Sequence, residues 1–558
     1  MNKYGNVLLL KVPTCPFPEP SAQEDMRFNL LFAPTPSLAL ASLCSFVHKH
    51  DTFGYQLKAI DLNIEGYTEP GVPIDTSSYI NLMENVIKDS DYGVLALSVM
   101  FIFTVKWVDL AVKLSKKYHP DAKIIIGGGY ASVYPERALT DHDADYAVIG
   151  EGEAALMHIL NKLNNHTDEI FEARFPFDGY AKKDASGKVT INERRHGFLK
   201  GEDLPPAGWH YMNIGSYFRK SGLKVLEIEG SRGCPYKCTY CTVHMCWGGN
   251  VRYRPVDSLI HEISEIRRQY GEVEVYLVDD NPTFSRSWIT EFLNELIVHD
   301  LNRGVRFQNF SVKHLDEEII DLLIKAGLKQ LTIAVETASQ EMQARINKRL
   351  NFDKVREIVG IAKSRKLYVE ALWMLGFPKE TLAQIGETLA FARELRANLN
   401  TISIVLPYPG TKLFEDAKSL GVLEFDDSDL SRFDYFHYNS FKSDEWNYEQ
   451  LKQIAYDANI ELNFINNPCL DTGDGADFIL EREEYIMEKL SEHIIANIVM
   501  GYLHKQRDNL KACDRYYEHA AGLFKKKPVR DTFIKYLSWD YPVTRDFNTY
   551  LNARGIRL

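Results

Sequence analysis

The first 160 residues alternate between short apolar runs and amphipathic segments. Apolar runs of strand length, rich in Val, Ile and Leu, occur at residues 6–13, 56–63, 92–101, 122–129 and 144–150. Between the third and fourth runs, the apolar residues Val105, Val108, Val112 and Leu114 lie mostly on one face of a helix. Alternating strands and helices predict an α/β fold with a doubly wound parallel sheet, which binds ligands at the carboxyl ends of its strands.

A second alternating series begins at residue 223. Its six strand-like runs occupy residues 223–230, 272–280, 305–312, 328–337, 367–375 and 400–410, and amphipathic helices such as 256–271 separate them. Six βα units of this length predict a partial (β/α)6 barrel or a strongly curved parallel sheet, again with its chemistry at the carboxyl ends. After residue 425 the strand pattern fades, and helical periods dominate to the end of the sequence.

The length of 558 residues exceeds what one hydrophobic core supports, so several domains are expected. The patterns predict a sheet domain at 1–160, a turn-rich connector at 161–222, a barrel core at 223–425 and an appended α-helical domain at 426–558. No part of the chain is rich enough in Pro, Gly and Ser to predict disorder.

Charge and hydropathy narrow the function classes. The net charge of −12 provides no overall basic field for a polyanion, which argues against a nucleic-acid partner. No stretch approaches the roughly 18 apolar residues of a membrane span, and the first residues lack a signal-peptide cleavage site. We therefore expect a cytoplasmic protein.

Four of the eight cysteines lie within residues 234–246. The segment "CPYKCTYC" places Cys234, Cys238 and Cys241 at the spacing C-x3-C-x2-C, directly after the first strand of the second series. Thiolates at such gaps converge as soft ligands of zinc or of an iron–sulfur cluster. A structural zinc site would recruit His244 or Cys246 as its fourth ligand, whereas a cluster held by three cysteines would leave one iron open.

This segment resembles the signature of the radical S-adenosylmethionine (radical SAM) superfamily. The resemblance implies that Cys234, Cys238 and Cys241 bind three irons of a 4Fe-4S cluster, and that SAM chelates the fourth. It also implies that Tyr240 packs near the adenine of SAM. Cys246 lies outside the pattern.

Four further strand ends resemble elements of the same family. They are "VDDNPTF" (278–284), "VETAS" (335–339), "MLGFPKET" (374–381) and "LPYPGTKLF" (406–414). The resemblance implies that residues of these elements contact SAM, namely Asp280, Asn281, Glu336, Gly376 and Pro407. Glu380 and His314 are expected to be caps or surface groups.

The first domain, taken alone, fits any nucleotide-binding sheet. Before a radical SAM core, it resembles the Rossmann-like cobalamin-binding domain of the B12-dependent subclass, through "TPSLALASLCSFV" (35–47), "IGGGYASVYPE" (126–136) and "YAVIGEGEAAL" (146–156). Glycine admits a flat corrin close to the backbone, where a β-carbon would block it. The predicted cobalamin contacts are Ser98, Gly127, Gly128, Gly129, Gly150, Glu151 and Gly152.

The histidine that many B12 proteins supply from D-x-H-x-x-G has no equivalent here. The segment "DLNIEG" (61–66) places Asn63 at the histidine's position, but it follows the second strand, so we interpret the similarity as accidental.

Together the resemblances imply a C-methyltransferase that acts on an unactivated carbon, by means of a 5′-deoxyadenosyl radical and methylcobalamin. The expected partners are a small-molecule or peptide substrate and an electron donor such as flavodoxin or ferredoxin. One alternative is a B12-dependent radical enzyme that cyclises, rearranges or oxidises its substrate without methyl transfer. The other is a zinc-stabilised binding protein with no catalytic activity.

Overall fold

The computed structural model describes residues 3–15, 17, 34–67, 77–184, 186–194, 198–423, 428, 430, 441–471, 475, 477, 479–480 and 492–557. The chain divides into two compact units. The first comprises residues 1–328, 346–348 and 406–440, and the second comprises residues 329–345, 349–405 and 441–558.

The first unit begins with the predicted parallel sheet. Its strands are β1 (Asn6–Lys11), β2 (Gln56–Asp61), β3 (Val94–Ser98), β4 (Lys123–Gly127) and β5 (Tyr146–Val148), in the order β2-β1-β3-β4-β5. Because β1 lies between β2 and β3, the strand order reverses there, which confirms the doubly wound fold. The helices of this part are Leu38–His50, Leu62–Gly66, Ser78–Asp89, Val105–Tyr118, Gly129–Val133, Pro135–Thr140 and Glu153–Leu163.

The helix Val105–Tyr118 has the face that its sequence predicts. Val105, Val108, Val112 and Leu114 are all buried in the core between this helix layer and the sheet. The apolar stripe of an amphipathic helix is thus what docks it on the strands.

The predicted connector extends this sheet by two strands. β6 (Tyr180–Lys183) pairs antiparallel with β5, and β7 (Val189–Asn192) pairs antiparallel with β6. Asp184 organises the hairpin turn, because its carboxylate accepts the backbone N–H groups of Ser186 and Lys188. The two strands, YAKK and VTIN, contain no continuous apolar run, so the sequence does not distinguish them from a polar connector. The helices here are Glu169–Arg174 and Ile214–Ser221.

The rest of the first unit carries the start of the second alternating series. Its strands are β8 (Val225–Ile228), β9 (Ser231–Arg232), β10 (Arg252–Tyr253), β11 (Glu274–Leu277) and β12 (Val305–Phe307). β8, β11 and β12 form a parallel sheet in the order β12-β11-β8, and β9 pairs antiparallel with β10. The helices are Val243–Cys246, Val256–Tyr270, Arg286–Val298, Glu317–Lys325 and Lys412–Ser419.

The second unit holds the last three predicted strands. β13 (Gln330–Glu336), β14 (Tyr368–Leu375) and β15 (Leu399–Ile404) form a parallel sheet in that order. Residues of β14 alternate between buried and partly exposed, so one face of the strand packs in the core. The helices of this part are Gln340–Arg345, Phe352–Ser364 and Leu382–Leu395.

The described C-terminal residues are helical, as predicted. The helices are Tyr448–Ile460, Ile494–Gln506, Leu510–Leu523, Lys527–Phe533 and Pro542–Ala553. A π-helical turn, Glu461–Ile465, continues the first of them. Their buried faces form a separate hydrophobic core that includes Tyr517, Phe524, Tyr536 and Phe547.

Candidate functional site

The three consecutive glycines after β4 differ in what surrounds them. Gly128 has φ +96°, and a β-carbon there would lie 2.5 Å from the carbonyl oxygen of Val99. A β-carbon on Gly129 would lie 2.5 Å from the carbonyl oxygen of Met100. For Gly127 the nearest atom to such a β-carbon is 3.8 Å away. Gly128 and Gly129 are thus required by the packing of the chain itself, and Gly127 leaves an open approach.

The neighbouring end of β3 adds an apolar surface. Ser98 ends the strand and is partly exposed, and Met100 follows with 63% of its surface exposed. The rings of Phe101 and Phe103 stack at 5.3 Å between centroids. An exposed apolar rim beside an uncrowded glycine fits the flat, largely apolar edge of a corrin.

The turn after β5 contains the other three predicted contacts. Gly150 has φ +75°, and a β-carbon there would lie 3.2 Å from the carbonyl oxygen of Cys246. A β-carbon on Gly152 would lie 3.0 Å from the Leu43 side chain. The Glu151 carboxylate is buried and accepts hydrogen bonds from the Leu199 N–H at 2.8 Å and from two arginines. Both of its oxygens are therefore engaged within the protein.

Asn63 is fixed by internal hydrogen bonds. Its Oδ1 accepts from the backbone N–H and the hydroxyl of Thr14, at 2.7 and 2.8 Å, and its Nδ2 donates to the Val12 carbonyl at 3.2 Å. The side chain ties the loop after β1 to the helix Leu62–Gly66 that follows β2. This structural role agrees with our interpretation of "DLNIEG" as an accidental similarity.

The cysteine segment begins two residues after β9, in a loop closed at its base by the β9–β10 pair. Cys234, Cys238 and Cys241 are partly buried, and none of them forms a disulfide. Burial, with a smaller contribution from the neighbouring thiols, raises the pKa of Cys234 and raises that of Cys241 to about 11. Thiols that perturb one another electrostatically lie close together, and a bound soft metal centre would relieve that repulsion.

The proposed fourth ligands of a zinc site are placed differently. His244 bonds through Nε2 to the carbonyl oxygen of Tyr236 at 2.6 Å, and burial raises the pKa of Cys246 to about 11. Among the residues that the structure describes, no three His, Cys, Asp or Glu side chains gather around the position of a single ion. Three free thiols on one loop have the soft donor chemistry that an iron–sulfur cluster requires.

The end of β11 lies beside this loop. Asp279 accepts from the Gly230 N–H at 2.7 Å and from the Ser231 hydroxyl, and burial raises its pKa to about 7. Burial likewise raises the pKa of Asp280 to about 6, although a hydrogen bond from the Gly233 N–H acts to lower it. Both carboxylates therefore hold the backbone just before Cys234.

Three polar atoms around the loop are buried without a hydrogen-bond partner among the described residues. They are Thr239 Oγ1, Asn281 Oδ1 and Thr283 Oγ1. Buried polar atoms are nearly always satisfied in native structures, so such a group indicates a ligand or water at that point. The predicted SAM contact Asn281 thus has an acceptor to offer.

Tyr240 and Pro407 also lie near the cysteine segment. The Tyr240 hydroxyl accepts from Lys348 Nζ at 3.3 Å. Pro407 is buried in a segment that leads to Leu413, whose N–H donates at 2.8 Å to the carbonyl of Thr239. Backbone hydrogen bonding therefore joins the segment after β15 to the residue between Cys238 and Tyr240.

Two predicted SAM contacts lie in the second unit. Glu336 ends β13 with φ +70° and is buried. Gly376 follows β14 with φ +87°, and a β-carbon there would lie 2.3 Å from Leu451. Their part in SAM binding stays a prediction.

Glu380 has a larger role than the sequence indicated. It is 1% exposed, and its Oε2 accepts from the N–H groups of Gly376 and Phe377 at 2.6 and 3.0 Å. Burial raises its pKa to about 7. The expectation of a cap or surface group is wrong for Glu380, because Thr381 is the N-cap of the following helix and Glu380 is a buried group that holds the turn containing Gly376.

Within the first unit, the carboxyl end of the parallel sheet meets the cysteine loop. Besides the contact between Gly150 and Cys246, a β-carbon on Gly410 would lie 2.5 Å from Met245 Sδ and 3.1 Å from Val133. Val133 belongs to the helix that follows the three glycines, and Met245 to the short helix after Cys241. The two sets of predicted cofactor residues thus adjoin.

Comparison with known families identifies both parts. Residues 41–160 match the B12 binding domain, and residues 228–392 match the radical SAM superfamily. The chain combines a B12-binding domain with a radical SAM domain. It is a cobalamin-dependent radical SAM enzyme, and its cofactors are a 4Fe-4S cluster, SAM and cobalamin.

Individual relatives cover both domains. The cytidylyl-2-hydroxyethylphosphonate methyltransferase of Streptomyces wedmorensis is 25% identical over 457 residues, which cover 74% of this chain and 84% of the relative. An anaerobic magnesium-protoporphyrin IX monomethyl ester cyclase of Cereibacter sphaeroides is 25% identical over 334 residues. That match covers 59% of this chain and 52% of the cyclase, so the chain spans about half of that relative.

Solved structures share the fold of this radical SAM enzyme. The cobalamin-dependent SAM radical enzyme OxsB superposes with a TM-score of 0.62 at 14% identity, over 98% of this chain and 84% of its own. The radical SAM methyltransferase TsrM from Kitasatospora setae gives a TM-score of 0.59 at 16% identity, over 76% and 80%. Within the described residues, no helix combines the length and apolarity required to cross a bilayer.

Proposed function

We propose that this enzyme is a C-methyltransferase that acts on an unactivated carbon of a small molecule or peptide. The observation that carries the proposal is the contact between Gly150, at the end of the B12-binding sheet, and Cys246, in the cysteine loop. Methyl transfer to a carbon radical requires that the methyl donor and the radical source flank one substrate, and two adjoining cofactor regions meet that requirement. Its relatives include enzymes named as methyltransferases.

In this proposal Cys234, Cys238 and Cys241 are the cluster ligands. When bound, the cluster would supply the electron that cleaves SAM to methionine and a carbon-centred radical, and cobalamin would supply the methyl group, which a second SAM would replace. The partly buried thiols hold the centre away from bulk water, which protects a reactive radical from quenching.

Side chains next to the loop are proposed to orient SAM. Asn281 offers its unpartnered Oδ1 as an acceptor for the SAM amino group, and Asp280 offers a carboxyl next to it. Tyr240 and Pro407 supply apolar surface for the adenine. Together they fix which hydrogen of the substrate faces the radical carbon.

For cobalamin, we propose that the ring rests over Gly127 and against the Ser98–Phe103 rim. The turns that contain Gly128, Gly129, Gly150 and Gly152 are proposed to bring the backbone close to its amide side chains. Glu151 contributes through its backbone N–H, because its carboxylate is bound to Arg232 and Arg252 and its carbonyl accepts from Arg194.

Methylation and the cyclase alternative differ in their co-products. Methyl transfer forms S-adenosylhomocysteine and 5′-deoxyadenosine together, one of each per methylated product. A cyclase or oxidase consumes SAM only for the radical and forms no S-adenosylhomocysteine. Since the chain also resembles a cyclase, this ratio is the deciding quantity.

The experiment uses the full chain, purified anaerobically with cobalamin, reduced, and given SAM labelled in its methyl group. Cytidylyl-2-hydroxyethylphosphonate is the first substrate to test, followed by fractions of the native cell extract. We expect label in a product and equal amounts of the two nucleosides. Deoxyadenosine without S-adenosylhomocysteine at full turnover would reject methyl transfer, and a colourless zinc protein would reject the radical reaction altogether.

A further inference from the structure

One arginine beside the cysteine loop is bound by three carboxylates. Arg232 lies two residues before Cys234 and is 3% exposed. Its Nη2 lies 2.7 Å from Glu153, its Nε 2.7 Å from Glu229 and its Nη1 3.3 Å from Glu151. The guanidinium also lies 4.6 Å over the ring of Trp247. Every nitrogen of the side chain is thus assigned to a separate carboxylate.

The partners of Arg232 come from both cofactor regions. Glu151 and Glu153 flank Gly152 in the turn at the end of the B12-binding sheet, whereas Glu229 directly follows β8 in the radical SAM domain. About 80 residues of chain separate the two groups. Arg232 therefore joins the two domains at the point where their cofactor regions adjoin.

A second arginine, Arg252, also binds Glu151 in the turn after β5. Arg252 Nη1 lies 2.6 Å from Glu151 and donates to the Leu199 carbonyl at 2.6 Å, and Arg252 Nη2 donates to the Trp247 carbonyl at 2.9 Å. Because Arg252 lies on β10, which pairs with Arg232 on β9, both ends of the cysteine loop are tied to Glu151.

We infer that Arg232 is a positioning residue that fixes the spacing between the cluster and cobalamin through Glu151 and Glu153. This inference rests on the proposed function, because the spacing matters only if both cofactors act on one substrate. A buried ion network adds little stability over apolar packing of the same volume, but it defines a geometry. The planar fork of arginine suits three carboxylates, and the point charge of lysine does not.

The test measures that spacing directly. The full chain is loaded with cobalamin and cluster, both are brought to their paramagnetic states, and pulsed electron paramagnetic resonance gives the distribution of distances between them. The wild-type chain should give one narrow distribution. R232K and E153Q should broaden it roughly twofold, because each removes part of the ionic link while keeping the side-chain volume.

E461Q is the matched control. Glu461 is also a buried carboxylate bound by an arginine, with both of its 2.7 Å contacts to Arg393, but it lies in the C-terminal helical region. We expect E461Q to lower the thermal midpoint as much as E153Q and to leave the distance distribution unchanged. A purely structural role for Arg232 predicts instead that all three variants behave alike.

The outcomes separate the inference from the function on which it rests. Unchanged distributions in R232K and E153Q, or equal broadening in E461Q, would overturn the positioning role. Absence of any dipolar coupling in the loaded wild-type chain would instead count against the proposed function. As a second readout, R232K and E153Q should release more deoxyadenosine per methylated product than E461Q.

Discussion

The side-chain amide of Asn463 binds both backbone groups of Asn400. Its Nδ2 donates to the Asn400 carbonyl at 2.6 Å, and its Oδ1 accepts from the Asn400 N–H at 2.7 Å. Asn459 does the same with Ile402, and Asn467 donates to the Asn398 carbonyl. The three asparagines recur every fourth residue, and their partners, Asn398 just before β15 and Asn400 and Ile402 within it, are alternate residues, so the two spacings match along the strand. The asparagine side chains form hydrogen bonds with the backbone N–H and C=O groups at the edge of β15, as a further strand would.

Replacing Asn463 tests this pairing. N463L keeps the volume but leaves the buried N–H and C=O of Asn400 without partners, so the free energy of unfolding of the second unit should fall by about 2–4 kcal/mol. The control is Gln453, an exposed residue of the helix that precedes Asn463. Q453L should change the free energy of unfolding by less than about 0.5 kcal/mol. Denaturant unfolding of the full chain measures both. Equal effects would show that the amide pairing contributes nothing.

Substitutions of two glycines after β4 should affect different properties, stability for Gly128 and cobalamin affinity for Gly127. G128A places a β-carbon 2.5 Å from the Val99 carbonyl at a positive φ, so we expect a loss of about 2 kcal/mol in stability. G127A has no atom closer than 3.8 Å and should fold normally. If cobalamin rests over Gly127, however, G127A should bind it at least tenfold more weakly in a spectroscopic titration, about 1.4 kcal/mol. If G127A bound cobalamin as tightly as the wild type, the corrin ring would not rest over Gly127.

The sequence predicted the elements better than the contacts between them. The eleven long strand runs were visible because buried parallel strands are continuously apolar. The strands β6 (YAKK) and β7 (VTIN) have no continuous apolar run and were therefore not recognised. The link between Arg232 and Glu151 was not predictable either, since nothing local in "GEGE" or "SRGC" shows that residues about 80 positions apart form one buried ion network.

The carboxylate of Glu151 illustrates the same limit. Its place in a glycine-rich turn predicts a cofactor contact. In the structure, however, both carboxylate oxygens accept hydrogen bonds from Arg232, Arg252 and the Leu199 N–H. The cysteine spacing, by contrast, was informative alone, because ligands on one short loop must lie close in any fold.

The cysteines themselves provide a direct test of the cluster. C234A, C238A and C241A should each lose most of the iron and the broad visible absorbance after anaerobic reconstitution, because a cluster cannot be held by two thiolates. C246A should retain both, since Cys246 contributes only its backbone contact to Gly150. Iron and sulfide analysis with visible spectra measures this. Loss of iron in C246A equal to that in C241A would make Cys246 a fourth ligand.

The N-cap of the helix Ile494–Gln506 should make the C-terminal helices sensitive to acid. The Nδ1 atom of His493 accepts the Ala496 N–H at 3.0 Å, and its ring stacks on Phe464 at 4.9 Å. Burial lowers the pKa of His493 from 6.5 to about 4. The neutral ring is therefore the form that the folded state holds.

The sign of the pH dependence follows from that pKa. Between about pH 6.5 and pH 4, the unfolded chain binds a proton at His493 that the folded chain does not, so stability falls as the pH falls. The full effect of the shift is about 3 kcal/mol. H493N keeps a side-chain acceptor at the N-cap but cannot titrate, so it should resemble the wild type near pH 7 and exceed it in acid. Hydrogen exchange of the amides in 494–506, corrected for intrinsic rates, measures the difference. Parallel pH profiles for the two proteins would show that another group controls the acid transition of this region.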